Sequence, residues 1–324
     1  MRRADGLVPS PAPLSSALPS NPGTQVSAEN FHGAPYQERV IELRNGPYLD
    51  FPAVIGIETL ALCNAACNFC PYPALDRKGE AMPDRLIAKI LDDIEDIKHR
   101  PPFKVVLARV NEPFLDSRIW DITAEIERRF PEALHMLFSN GTAFNQANLL
   151  RLAKLSKVDF LNLSVNDHRP REYEETMRLP FARTLSRLDA LHEMKTGGGL
   201  GFPVFVSRVG DGSSADAAFL EWVASRYPAF NGLVTMRGDW MGAVQSSIEP
   251  APDVSCRQWF EVHFLANGKE AYCCIDSDGR FGVGNAQSRH VIHEIYNHPE
   301  KRILREELPS RRRVPVCSGC PMLT

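Results

Sequence analysis

Three cysteines lie close together in the run CNAACNFC, directly after an apolar segment that spans residues 53–62. They are Cys63, Cys67 and Cys70. A structural zinc site takes four ligands, and zinc motifs usually bring their cysteines in pairs. Three thiolates instead hold three irons of a [4Fe–4S] cluster and leave the fourth iron open to a small molecule. The spacing favours an open iron–sulfur site, and a zinc site or a redox site is the alternative.

A second group of cysteines lies in the carboxyl-terminal part of the chain. It consists of Cys256, the adjacent pair Cys273 and Cys274, and the Cys-x2-Cys pair Cys317 and Cys320. Four of these five could bind all four irons of a [4Fe–4S] cluster. A structural zinc ribbon also needs four ligands and is the alternative. We expect Cys273 and Cys274 to lie on an extended segment and to point to opposite faces, so that only one of them binds metal. The other is a reactive thiol or a buried inert cysteine.

The composition limits the class of protein. The chain has 324 residues, a formal net charge of −3 and a pI near 6.3. Its one basic run, residues 311–313, is interpreted as a solvated surface cluster, so that nucleic-acid binding is not expected. No segment approaches the ~20 apolar residues of a membrane span, and residues 1–25 lack the apolar core of a signal peptide. We therefore expect a soluble, cytoplasmic protein with reduced cysteines and no membrane partner.

From about residue 53, short β-rich runs alternate with longer amphipathic stretches, which is the pattern of a parallel sheet covered by helices. The predicted strands are Val54–Thr59, Lys104–Ala108, His135–Ser139, Phe160–Val165, Pro203–Ser207 and Leu233–Met236. The predicted helices are Asp84–Lys98, Ile119–Arg129, Ala147–Lys154, Phe181–Met194 and Ala215–Arg226. This order indicates an α/β fold with a partial (β/α)6 barrel, in which ligands bind at the carboxyl ends of the strands. The first cysteine run follows the first strand, as a site there requires.

Changes in composition divide the chain into three predicted parts. Residues 1–28 are rich in Pro, Ser and Ala and are predicted to be a disordered tail. Residues 29–242 form the predicted partial barrel. Residues 243–324 contain the five later cysteines and many turn residues. This composition predicts a small module that bound metal stabilises.

Cys-x3-Cys-x2-Cys in the loop after the first strand of a partial barrel resembles the signature of radical S-adenosylmethionine (SAM) enzymes. The resemblance covers about residues 53–324 and implies a SAM-binding [4Fe–4S] cluster on Cys63, Cys67 and Cys70. It also implies reductive cleavage of SAM to a 5′-deoxyadenosyl radical that abstracts hydrogen. The SAM-binding positions that it implies are Phe69, Glu112, Ser139, Asn140, Ser164 and Arg208. Asn111 stands where the family has the glycine of a Gly-Glu-Pro-like turn.

The second cysteine group, with Asn267 and Gly268 ahead of its adjacent pair, resembles the twitch or SPASM module of one radical SAM branch. The branch implies a second, auxiliary [4Fe–4S] cluster on Cys256, Cys273 or Cys274, Cys317 and Cys320. It includes enzymes of aminoglycoside biosynthesis, of the neomycin C epimerase and 2-deoxy-scyllo-inosamine dehydrogenase types. The resemblance implies a small amino-sugar or aminocyclitol substrate and a low-potential electron donor such as flavodoxin or ferredoxin.

Several reactions are compatible with these motifs. The spare cysteine, Cys273 or Cys274, favours epimerisation with that thiol as the hydrogen donor. Dehydrogenation that uses the auxiliary cluster, and decarboxylation of a sugar acid, are the alternatives. Peptide maturation would need a leader-binding domain, which the first 50 residues do not obviously supply. A zinc-stapled binding module is the non-enzymatic alternative.

Polar residues on the late loops are the predicted substrate contacts, because acidic groups suit a cationic amino sugar. His168 is a candidate general base for an oxidation. The remaining candidates are Asp167, Arg237, Asp239, Trp240, Asp276 and Asp278.

Overall fold

The computed structural model describes residues 34–236, 238–244 and 253–320. The predicted tail 1–28 and the candidate Arg237 lie outside these residues. Six strands pair in parallel in sequence order, so that consecutive strands are neighbours. They are β1 (Val54–Ile57), β2 (Phe103–Val106), β3 (Ala133–Ser139), β4 (Val158–Ser164), β5 (Val204–Gly210) and β6 (Asn231–Met236). All six strands were predicted, and the α/β fold with an open barrel-like sheet is confirmed.

Helices connect these strands and bury their apolar sides against the sheet. In α2, for example, five buried residues recur at helical spacing between Leu86 and Ile94. They form one apolar side of the helix, which joins the main core. The helices are α1 (Ala34–Asn45), α2 (Asp84–Glu95), α3 (Ile119–Arg129), α4 (Gln146–Leu152), α5 (Pro170–Met177), α6 (Phe181–Thr196), α7 (Ser214–Arg226) and α8 (Pro299–Glu307). The five predicted helices correspond to α2, α3, α4, α6 and α7.

The carboxyl-terminal segment adds two strands to the same sheet. β7 (Glu261–Phe264) pairs in parallel with β1, and β8 (Glu270–Ala271) pairs with β7 in an antiparallel hairpin. The strand order is therefore β6-β5-β4-β3-β2-β1-β7-β8. β7, which lies between Cys256 and Cys273 in the chain, thus adjoins the strand that precedes the first cysteine run.

A second apolar cluster joins the two ends of the described chain. Tyr36 and Val40 of α1 pack against Trp259, Phe260 and the buried Cys256. Neither α1 nor this contact was predicted. No helix among the described residues has both the length and the apolar character that a membrane span requires.

Candidate active site

The first cysteine run lies in a long loop between β1 and α2. The base of this loop is closed by an isolated antiparallel bridge between Leu60 and Ala81. Its cysteine-bearing part is held by the last turn of α5, because the amides of Ala66 and Asn68 donate to the carbonyls of Met177 and Thr176 at 3.1 and 3.2 Å. The loop is therefore supported from two sides.

Cys63, Cys67 and Cys70 are half-buried, and none of them forms a disulfide. Burial raises the pKa of Cys63 to about 12 and that of Cys70 to about 11. Burial also raises the pKa of Cys67, and the neighbouring Cys70 and Cys63 thiols raise it further. The three sulfurs thus lie close enough to repel one another as thiolates. A metal centre that replaces their protons removes this repulsion, so the donor set fits three corners of a [4Fe–4S] cluster.

Glu112 connects the loop after β2 to the first cysteine run. Its amide donates to the Leu62 carbonyl at 2.9 Å, and its carboxylate accepts from Ser139 Oγ at 2.9 Å and from the Asn140 amide at 2.6 Å. Only 1% of the residue is exposed, and burial raises the pKa of Glu112 to about 7. Glu112 therefore binds the end of β3 to the loop that carries Cys63.

Asn140 adds a second connection to the cysteine run. Its Nδ2 donates to Asn64 Oδ1 at 2.8 Å, and the Asn64 side chain donates to Thr142 Oγ1 at 2.8 Å. Asn64 and Thr142 were not predicted, although Asn64 lies inside the quoted motif. Three predicted SAM-binding positions, Glu112, Ser139 and Asn140, are thus brought together beside Cys63.

The other predicted SAM contacts are Phe69, Ser164 and Arg208. Ser164 is half-buried at the carboxyl end of β4, and Phe69 packs against the main core. The Arg208 guanidinium, with only 8% of the side chain exposed, forms ion pairs with Asp167 at 2.9 Å and Asp216 at 2.7 Å. Asp167 also pairs with Arg169 at 2.8 Å, so that Arg208 and Asp167 belong to one network of ion pairs. His168 stacks on Trp222 of α7, and burial lowers its pKa.

The second cysteine group surrounds one cavity. All five thiols line it, together with Trp259, Tyr272 and Arg311, and its volume is about 420 Å³ including the part that opens to solvent. Burial raises the pKa of Cys256 to about 12 and also raises that of Cys317. Such thiols are neutral without a metal, and the set has one more sulfur than a closed four-ligand centre needs. The donor set therefore fits a cluster.

Cys273 and Cys274 differ in their surroundings. Burial and the neighbouring thiols of Cys274, Cys256 and Cys320 raise the pKa of Cys273. Burial and the Glu261 carboxylate raise the pKa of Cys274 to about 12, while the Arg109 guanidinium opposes this shift. Cys273 thus lies near Cys256 and Cys320, whereas Cys274 lies near Cys256 and near charged groups of β7 and of the loop after β2.

The adjacent cysteines lie in a turn, and the prediction of an extended segment is wrong. The Asp276 amide donates to the Cys273 carbonyl at 3.2 Å. The Asp276 carboxylate accepts from the amides of Tyr272 at 3.0 Å, Arg280 at 3.0 Å and Phe281 at 3.2 Å. With 1% exposure and these three bonds, Asp276 holds the turn and is not an open substrate contact.

Two arginines connect the first cysteine region to this turn. Arg77, in the first cysteine loop, pairs with Glu58 and donates to the Ser277 carbonyl at 2.8 Å. Arg109, two residues before Asn111, donates to the carbonyl of Cys273 at 3.0 Å. Neither was predicted, because an isolated arginine in a loop gives no sequence signal of its partner.

Trp240 also adjoins the first site, although it was predicted only as a substrate contact. Its Nε1 donates to the Phe69 carbonyl at 3.1 Å, and its ring packs in an apolar cluster that Cys63 and Cys70 contact. Asp239 accepts from the Met241 amide at 3.0 Å and so shapes the turn. Asp278 is exposed.

Comparison with known proteins agrees with this geometry. Residues 57–209 match the model of the Radical SAM superfamily. None of the curated proteins matches the chain. Several solved structures share the fold at low identity. BtrN in complex with AdoMet and 2-DOIA has a TM-score of 0.57 at 14% identity, with 84% of this chain and 94% of BtrN covered.

Two other structures contain peptides. SuiB of Streptococcus suis bound to precursor peptide SuiA has a TM-score of 0.61 at 15% identity, with 88% of this chain and 73% of SuiB covered. The anSMEcpe structure with AdoMet and the Cp18Cys peptide has a TM-score of 0.51 at 12% identity, with 83% and 89% covered. Residues 57–209 therefore match the Radical SAM superfamily, a family that implies a [4Fe–4S] cluster and SAM.

Proposed function

We propose that the chain removes a hydrogen atom from a C–H bond of a small amino sugar or aminocyclitol, in the biosynthesis of an aminoglycoside-type natural product. The observation that carries the proposal is the pair of cysteine sites, with three thiols in one and five in the other, which Arg77 and Arg109 connect. The same proposal includes a boundary at residue 242 between the barrel and the carboxyl-terminal module, and a cytoplasmic location.

Residues of the first site are assigned to SAM and its cluster. Cys63, Cys67 and Cys70 would hold a [4Fe–4S] cluster, which together with SAM supplies an organic radical for hydrogen abstraction. The ionised Glu112 carboxylate attracts a cation such as the SAM amino group, and Ser139 and Asn140 orient that carboxylate. Phe69, Ser164 and Arg208 stay predicted contacts.

At the second site, Cys256, Cys273, Cys317 and Cys320 are assigned as ligands of an auxiliary [4Fe–4S] cluster. Cys273 is preferred to Cys274 because it lies near both Cys256 and Cys320, whereas Cys274 lies near Cys256 and the charged Glu261 and Arg109. Cys274 is then the spare thiol. It lies near Arg109, whose loop leads directly to Glu112 and the first site.

Epimerisation is the outcome that this spare thiol supports. The S–H bond of Cys274 breaks and a C–H bond forms on the opposite face of the substrate carbon. The remaining thiyl radical takes one electron from a low-potential donor, such as flavodoxin or ferredoxin, and one proton from solvent. The substrate is therefore neither oxidised nor reduced overall.

Dehydrogenation is the second candidate, and the likeness to BtrN with 2-DOIA favours it. Peptide maturation is a further candidate, since 89% of the anSMEcpe structure with the Cp18Cys peptide is covered, against 94% of BtrN. Decarboxylation of a sugar acid has no comparable support from the site.

Metal analysis of the full chain tests the two sites. Protein reconstituted without oxygen is expected to hold about eight irons. Cys273→Ala is expected to lose about four of them, whereas the matched Cys274→Ala variant keeps all of them. Zinc without iron in wild-type protein would show that the chain is a zinc-stapled module instead.

Product analysis in deuterated water separates the two reactions. With an amino-sugar substrate, epimerisation is expected to place one deuterium on the inverted carbon, because thiol hydrogens exchange with solvent. The Cys274→Ala variant is expected to cleave SAM without inversion. A product that is two hydrogens lighter would assign dehydrogenation and refute epimerisation.

A further inference from the structure

A buried positive charge lies in the wall of the second cysteine cavity. Arg311 is 2% exposed, and its side chain lines the cavity together with all five later thiols. Its two successors in the basic run, Arg312 and Arg313, are exposed. The interpretation of this run as a solvated cluster is therefore wrong for Arg311 alone.

The local backbone explains why the first arginine turns inward. Ser310 precedes a short 3-10 helix over Arg311–Arg313, and its Oγ accepts from the Arg312 amide at 3.2 Å. The Arg311 amide donates to the Val254 carbonyl at 2.9 Å, which fixes the start of this helix close to Cys256. Arg311 thus lines the same cavity as Cys256 and Cys317.

A buried cation is costly unless negative charge lies beside it. Four thiolates with their irons carry net negative charge, and reduction adds one more unit of negative charge to the same volume. A fixed positive charge stabilises the reduced form more than the oxidised form.

We infer that Arg311 is the counter-ion of the auxiliary cluster and raises its reduction potential. This inference rests on the proposed auxiliary cluster. It assigns Arg311 as a positioning residue that acts on the cluster and not on the substrate. A higher potential makes the cluster a better electron acceptor.

The test uses the full chain with Cys63, Cys67 and Cys70 all replaced by serine, so that only the auxiliary site can hold a cluster. The potential is measured by redox titration, with the reduced cluster followed by electron paramagnetic resonance. Arg311→Gln is expected to change the ratio of oxidised to reduced cluster at a fixed potential at least tenfold, which is a fall of about 59 mV for one electron. Arg311→Lys and the exposed control Arg313→Gln are expected to stay near the parent protein.

Each outcome has a separate meaning. If Arg311→Gln loses the cluster while Arg311→Lys keeps it, the requirement for charge is supported. Equal potentials for Arg311→Gln and the parent would overturn the inference, as would equal loss of iron from both Arg311 variants. A parent protein that binds no iron at all would instead refute the auxiliary cluster itself.

Discussion

At the scale of single residues, the buried carboxylates of the site have structural tasks. Asp276 was predicted to contact the substrate, yet its oxygens accept three backbone amides around the cysteine turn. Glu112 was predicted to bind SAM, and it also connects β3 to the first cysteine loop. The sequence identified both as important, but acidic residues in loops do not reveal which backbone amides they bind.

Asp276→Ala is expected to destabilise the protein by about 1–3 kcal/mol, because three amides lose a charged acceptor. It is also expected to lower the iron content by about four per chain, since the turn no longer presents Cys273. Denaturant unfolding and metal analysis check the two effects. Asp278→Ala, in the same loop but exposed, is the control. Normal iron content in Asp276→Ala would show that the turn forms without the carboxylate.

Glu112 predicts a pH dependence of stability. Its pKa of about 7 lies above the ordinary value of a glutamate, so the folded chain binds the proton more tightly than the unfolded chain. This contribution to the free energy of unfolding is complete below about pH 4 and is lost as pH rises to about 7, with a total of about 3 kcal/mol.

Glu112→Gln is expected to remove this decline in stability, whereas the exposed control Glu80→Gln keeps it. Unfolding of the metal-free protein by urea at pH 5 and pH 8 measures the difference. An equal decline in all three proteins would contradict the assignment.

At the scale of elements, periodicity predicted the parts of the fold that have a simple pattern. The six parallel strands are short apolar runs, and α2 has apolar residues at helical spacing, so local sequence was sufficient for both. β7 was missed because polar Glu261 and His263, which bond each other at 3.0 Å, alternate with its apolar residues and are buried. Its pairing with β1 also joins residues about 200 positions apart. α5 was missed because it is mostly polar, with only Tyr173 and Met177 buried.

The packing of β7 on β1 depends on a glycine. A Cβ atom at Gly56 of β1 would lie 2.1 Å from Nδ1 of His263 of β7. Gly56→Ala is therefore expected to cost about 1–3 kcal/mol or more of unfolding free energy, because two paired strands must separate. Gly201→Ala, which meets open space, is the control.

A double-mutant cycle distinguishes this contact from a general effect of alanine. The cost of Gly56→Ala is expected to fall sharply in the His263→Ala background, where the ring is absent. Denaturant unfolding of the four proteins measures the coupling. An equal cost of Gly56→Ala in both backgrounds would mean that β1 and β7 do not pack as described.

At the scale of the whole molecule, the two cysteine sites are parts of one structure. β7 extends the sheet beside β1, and Arg77 and Arg109 bind the carbonyls of the later cysteine turn. The sequence placed each cysteine group and predicted that metal or cluster chemistry occurs in both. It did not predict their connection, because each contact joins a single arginine to a distant backbone carbonyl.

The buried pair of Arg77 and Glu58 is the strongest test of this connection. The two side chains are 7% and 0% exposed, and Glu58 also accepts from the Ala266 amide at 3.0 Å. Arg77→Met leaves that carboxylate buried without its cation, so a loss of about 3–5 kcal/mol of unfolding free energy is expected. Glu58→Gln combined with Arg77→Met is expected to recover part of this loss.

The exposed pair of Arg171 and Glu175 provides the control, where Arg171→Met is expected to cost below about 1 kcal/mol. Urea unfolding of the metal-free parent and of the three variants measures these changes. If Arg77→Met cost no more than Arg171→Met, the first cysteine loop would not depend on its bond to the carboxyl-terminal turn.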